Sequence, residues 1–507
     1  MPTDKTDLSS YANFTLNSGQ AKFSDQLFVA NSQAYGKLIV NGGKLSATYL
    51  QLSSGADYLG EMEVHGGEVA ISNSIRLGRN GSAHLVMDGG KITTPDFYIG
   101  GYDASGTGSD SSMTLSGGEV SVNTRLYVGG SGKGTLKMSG GTLTVNEIQV
   151  GRDATSQGVL ELSGGKGEVK NLYLGINAGS KGSFNMSNGE LELYNLYVGH
   201  TGAGTWNMTG GTLSTDYLCV GFASGSSGVF DISDGEVTVE ANFRVGLNAP
   251  ATGTVSGGSF DIKNLYIQGA EGKNSSLTIV GDRSTWKTNT FSMVNQSDLN
   301  FIFGNGGFST IASGDVTLSE NATISTAMEV EGIQALKSKT FELVTASGTW
   351  TNNGVNLVDS RYWDVSLDGT KVVATLQNYF TDLPETSVTE GVLQLTEASD
   401  SLLFYSDIFD PTTMDAFTDW LVESSDDVTS ATSGELGSVL LQFAEAIDLF
   451  AFNFGAFNLL HPDNPAGFAG QPSVPEPTTW GMLLLGILGL WKWGLRKSTL
   501  RSANIGK

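Results

Sequence analysis

The chain has 507 residues, of which 68 are Gly and only 10 are Pro, and its formal net charge is -24. Phosphate binding is driven by clustered Lys and Arg, so 28 basic residues scattered among 52 acidic ones argue against a nucleic-acid partner. One cysteine, Cys219, rules out an intrachain disulfide and any cysteine-based zinc site, and abundant Gly with little Pro suits a β chain that turns often yet keeps its backbone donors.

At the start, Met1 to Ser10 (MPTDKTDLSS) has neither the basic n-region nor the apolar h-region of a secretory signal. Repetitive β sequence begins near Tyr11 and leaves no room for a cap on a first coil, so the expectation is a chain start that is truncated or misassigned.

From Gly19 a glycine, usually the second of a pair, recurs at 43, 67, 90, 118, 141, 165, 189, 211, 235 and 258, at intervals of 22 to 28 residues. Three residues before these glycines stand large apolar side chains, among them Leu16, Val64, Met87, Met138, Leu162 and Ile232. After each comes a short alternating run such as Thr142-Leu143-Thr144-Val145, then apolar-x-apolar-Gly, as in Leu126-Tyr127-Val128-Gly129 and Leu172-Tyr173-Leu174-Gly175. Each repeat therefore reads as three short strands whose alternation buries one face. Strands so short bury nothing alone, whereas coils stacked at about 4.8 Å align equivalent residues into one core. The pattern predicts an all-β fold, a parallel β-helix of about 11–12 coils over 11–295, right-handed by the general crossover rule. Leu126, Val128, Met138, Leu143 and Val145 should point in, and Tyr127, Lys137 and Thr144 out. Corners demand positive φ, hence Gly, with Asn188 and Asp234 expected to tolerate the left-handed region where they replace the first Gly. Pro95 and Pro250 should lie at corners, Gly101 to Asp110 should be an inserted loop, and Leu277 to Asp282 should add a twelfth coil.

Beyond the repeats, 296–378 reads as a β-rich cap, in which Phe341 to Thr345 and Lys371 to Leu376 suggest antiparallel or irregular pairing that protects the last open edge. Residues 379–460 form an acidic region: Thr381 to Gly470 holds 16 Asp or Glu and neither Lys nor Arg. It reads as a solvated spacer with one helix-like apolar stretch near Gly434 to Leu460. A Pro/Gly linker follows over 461–473. Then come Val474, Pro475, Glu476 and Pro477, a hydrophobic helix over 480–495 that is apolar from Trp480 to Trp491, and the basic residues Lys492, Arg496, Lys497 and Arg501.

This order over 474–501 resembles the PEP-CTERM sorting signal of Gram-negative bacteria. The resemblance implies an exosortase as partner, transient anchoring of the C-terminal helix in the inner membrane, and delivery to the outer surface or the exopolysaccharide matrix; basic residues retained on the cytoplasmic side fit that orientation. More loosely, the coils are similar to autotransporter passenger repeats, although no transporter barrel follows.

Several β-helix families degrade polysaccharides with clustered carboxylates, or with a base beside calcium-holding acids. No such cluster stands out, and His65, His84, His200 and His461 share no spacing that would make them joint ligands. Nor does a calcium-binding nonapeptide repeat occur, so no metal and no cofactor is expected. Tyr98, Tyr127, Tyr173, Tyr197 and Tyr266 occupy the middle of the apolar-x-apolar-Gly strand, an outward stripe that either stacks on sugar rings or simply suits an exposed β face. The function expected is that of a non-catalytic surface or matrix protein of adhesin type; the alternative is a pectate-lyase-like carbohydrate-active enzyme or carbohydrate-binding protein.

Overall fold

The computed structural model describes residues 12–30, 35–103, 108–270, 272–304, 307–328, 340–360 and 362–376, all within one compact unit, Met1–Leu383. They form a parallel β-solenoid of about 13 turns in which no helix occurs. The acidic region, the linker and the 474–501 segment lie outside the described residues.

Each coil stacks on the one before through in-register parallel pairing. Where the repeat is most regular, β12 (Lys133–Val150), β13 (Gln157–Leu174), β14 (Lys181–Val198) and β15 (Ala203–Val220) are each a single element of 18 residues. The three strands read from the sequence are thus joined across their corners, and the bends appear, for β12 on β13, as a register break around Met138 to Thr142 and as a skipped pairing at Asn146. Continuity arises because the corners stack as well as the strands: Thr142 N donates to the Gly118 carbonyl at 2.9 Å, as Lys91 N does to that of Gly67.

All 11 corner glycines named above have φ between 72° and 112°. At Gly67 a second constraint adds to the first, since a Cβ there would lie 2.5 Å from the Gly43 carbonyl oxygen of the coil below. Only a residue without Cβ lets corner pack on corner at the β spacing. Asn188 and Asp234 work differently from the expectation, for neither has positive φ. Instead Asn188 Oδ1 accepts from Gly189 N at 2.8 Å and Asp234 Oδ1 from Gly235 N at 2.7 Å. Pro95 falls in the register break between Thr94 and Asp96, and Pro250 precedes β17 (Ala251–Val255), so both sit at corners. Residues 104–107 of the expected inserted loop lie outside the described residues.

The interior is one continuous apolar column set. Leu126, Val128, Met138, Leu143 and Val145 are all buried, while Lys137 and Thr144 are exposed. Tyr127 is the exception: it points outward yet is only 6% exposed, because its neighbours on the outer face cover it.

Parallel pairing does not stop at residue 295, where the repeat pattern placed the end of the solenoid. β19 (Ser275–Val280) pairs with β21 (Ser297–Phe303), and β21 in turn with β23 (Ala322–Met328). β20 (Ser284–Val294) carries β22 (Ile311–Leu318). The glycine-pair corners cease after Gly258, which is why these coils escaped the sequence pattern. Among the described residues, antiparallel pairing between strands enters where β28 (Lys371–Leu376) joins β24 (Thr340–Ala346) and β27 (Trp363–Asp368). There Trp363, fully buried, packs with Phe303, Phe308 and Phe341 at centroid distances of 5.1 to 5.6 Å and closes that end of the core.

Candidate functional site

Two outward features of the solenoid stand apart from the repetitive Thr, Ser and charge pattern: the tyrosine ladder of the third strand and a groove along the corners that follow it. The ladder runs without interruption through Arg76, Tyr98, Tyr127, Gln149, Tyr173, Tyr197, Cys219, Arg244 and Tyr266, each paired with the next. Tyr98 stacks on Tyr127 at 4.5 Å and 9°, and Tyr173 on Tyr197 at 5.1 Å and 4°.

This geometry turns ring faces along the solenoid axis, toward one another. Two of the tyrosines also carry a cation: Arg152 lies over Tyr127 at 5.0 Å and Arg244 over Tyr266 at 4.4 Å, each worth about 0.5–2 kcal/mol. Tyr102, His200 and Phe222 then lean edge-on against Tyr98, Tyr173 and Tyr197. The ladder therefore offers solvent its hydroxyls and ring edges, and sugar stacking needs a free face. Burial raises the hydroxyl pKa of Tyr98, Tyr173 and Tyr197 and lowers that of the His200 imidazole, as expected of groups held in an apolar seam. The residues that wrap the ladder follow the strand-ending glycines directly, as in Gly151-Arg152, Gly199-His200 and Gly221-Phe222, a recurrence of large side chains that the sequence displayed and that reasoning from the strands alone passed over.

Within the ladder, Cys219 is 6% exposed and burial pushes its thiol up to about 12. The reactive form is the thiolate. Iodoacetamide at about pH 8 should therefore label the folded protein far more slowly than the urea-unfolded chain; equal rates by mass spectrometry would show that the third strand does not bury this residue.

Ionic groups on the outer faces are matched between adjacent coils. Lys44 meets Glu68 at 2.8 Å, Lys91 meets Glu119 at 2.7 Å and Lys137 meets Glu161 at 3.0 Å. Such exposed pairs are each worth less than about 1 kcal/mol, and act mainly by relieving like-charge stacking. His65 lies 2.9 Å from the Asp88 carboxylate, whose hydrogen bond raises its pKa, and His84 bonds Ser112 Oγ at 2.8 Å. Among the described residues no three His, Cys, Asp or Glu side chains come together as metal ligands.

The groove, of about 870 Å³, crosses the third corners of successive coils near the C-terminal end of the solenoid. Asn248, Gln268, Asn295, Gln296 and Asn321 line it with Leu247 and small residues, and none of the described lining residues is charged. Sequence reasoning missed these carboxamides because they fall at the end of a strand, as Gln268 does, or between strands, at positions that carry no periodic signal. The sorting residues Val474, Pro475, Glu476 and Pro477 and the basic Lys492, Arg496, Lys497 and Arg501 lie outside the described residues. Compared with known proteins, the chain matches no protein family, no curated protein and no solved structure.

Proposed function

We propose that this chain is a non-catalytic, adhesin-like structural protein of the cell surface or exopolysaccharide matrix, carried there by its C-terminal sorting segment. The observation that carries the reading is the order Pro475-Glu476-Pro477, the apolar run Trp480 to Trp491, and the basic residues Lys492 to Arg501, behind a Pro/Gly linker. A solenoid whose outward columns satisfy themselves, tyrosine on tyrosine and lysine on glutamate, supports it further. Such a surface is a rigid spacer that resists unfolding, and growth by adding coils gives reach without a new fold.

In this reading the helix 480–495 enters the inner membrane, the basic residues stay on the cytoplasmic side, and an exosortase recognises Val474 to Pro477. Replacing Pro475, Glu476 and Pro477 together with alanine should trap uncleaved protein in the inner membrane of a host that carries an exosortase. Deleting 474–507 should release the protein from the envelope and leave the melting of the solenoid unchanged. Normal processing of the triple variant, followed by fractionation and immunoblotting, would sink the sorting reading. Turnover of any polysaccharide by the purified chain, abolished by one carboxylate substitution, would instead favour the pectate-lyase-like alternative.

A further inference from the structure

We propose that the groove along the third corners binds a neutral oligosaccharide, laid parallel to the solenoid axis. The assignment goes beyond the surface role proposed above and stands on the groove alone, so its failure leaves the sorting reading untouched.

Successive corners present one or two carboxamides each: Asn248 after β16 (Ser227–Val245), Gln268 ending β18 (Gly258–Gln268), Asn295 and Gln296 after β20, and Asn321 after β22. Parallel stacking spaces them by about 4.8 Å per coil, so the row extends over three coil steps, roughly 14 Å. Two of the amides are fixed from below. Asn248 Nδ2 donates to the Phe222 carbonyl at 3.0 Å and Gln268 Nε2 to that of Leu247 at 3.3 Å, which leaves their side-chain oxygens as oriented acceptors. The side chains of Asn295, Gln296 and Asn321 make no hydrogen bond among the described residues, and Asn295 holds a left-handed φ of 58°. A non-Gly residue in that region is uncommon, though Asn tolerates it better than most.

The lining chemistry narrows the ligand class. A carboxamide is donor and acceptor at once, which matches a sugar hydroxyl that also does both. Leu247, with the alanines beside it, supplies apolar surface for the C–H faces of a sugar ring. Among the described residues no Lys or Arg lines the groove, which on a chain of net charge -24 disfavours phosphate, nucleic acid and uronate polymers.

The test is calorimetric titration of the full-length chain, held in a polyoxyethylene detergent free of sugar, with cellohexaose, laminarihexaose and maltohexaose, and with tetragalacturonate as the acidic comparator. At least one neutral hexaose should bind with millimolar or tighter affinity. Gln296→Ala combined with Asn321→Ala should weaken that binding by at least about tenfold. The near-isosteric Gln296→Glu, which removes the N–H donors but keeps the volume, should weaken it as well and guards against a fold defect in the double variant. Tyr173→Phe, outside the groove, should bind as the parent does. No binding by any of the three neutral sugars, binding confined to tetragalacturonate, or equal affinity in both groove variants would overturn the proposal.

Discussion

Met138→Asp is expected to destabilise the solenoid by about 3–5 kcal/mol. Met138 closes the first strand of its coil, pairs above Leu115 and below Leu162, and is only 3% exposed. Its Cε reaches beneath the next corner, so that a Cβ on Gly165 would lie 2.7 Å from it. A carboxylate at this depth finds neither water nor a cation and must be protonated or break the coil open. Because each coil contacts only its neighbours, the damage falls on the interfaces with the coils of Leu115 and Leu162 together. Lys137→Ala, one residue earlier, loses only an exposed pair with Glu161 and should cost less than about 1 kcal/mol. Urea denaturation followed by circular dichroism separates the two. If both variants melted with the parent, or if Lys137→Ala melted as early as Met138→Asp, the assignment of inward and outward faces would be wrong.

The same methionine shows what the sequence made legible and what it hid. Period, corner positions and facing followed from residue spacing alone, because a glycine every 22 to 28 residues and alternation between them admit few other folds. Spacing along the chain does not reveal what lies across coils. Met87 beneath Gly118, Met138 beneath Gly165, Met186 beneath Gly211 and Met208 beneath Gly235 form a recurring lock, in which the thioether end fills the space that each glycine leaves open. Both partners were visible in the sequence, but not that they belong to different coils. Tyr127 was legible as outward and not as buried, since Arg152 and Tyr98 reach it from neighbouring coils. The solenoid's extent past residue 295 was hidden for a simpler reason: apolar strands persist there, from Leu299 to Ile324, after the glycine pairs that announced the corners have gone. Least legible was the groove, built from residues at strand ends and between strands, where neither alternation nor a fixed period operates.

Gly253→Val is expected to cost about 3 kcal/mol, through overpacking. One core column rises through Leu160, Phe184, Trp206 and Phe230 to Gly253, then Leu277. Three of its consecutive members, Phe184, Trp206 and Phe230, are among the largest fully buried side chains, and coils 4.8 Å apart cannot stack bulk on bulk indefinitely. The glycine resolves the crowding: the Phe230 ring occupies the place where a Cβ on residue 253 would stand, meeting the atoms Cζ, Cε1 and Cε2 at once. Phe243 packs against the same ring at 5.6 Å, so it has no room to withdraw. Val at 253 must therefore displace either the ring or the strand β17. Trimming the ring should relieve the clash: Phe230→Leu alone costs about 1–2 kcal/mol for lost contacts, and the double variant Phe230→Leu with Gly253→Val should be more stable than the sum of the single costs by about 1–2 kcal/mol. Strict additivity in urea melts would mean that Gly253 is required for its backbone and not for the space it yields to Phe230.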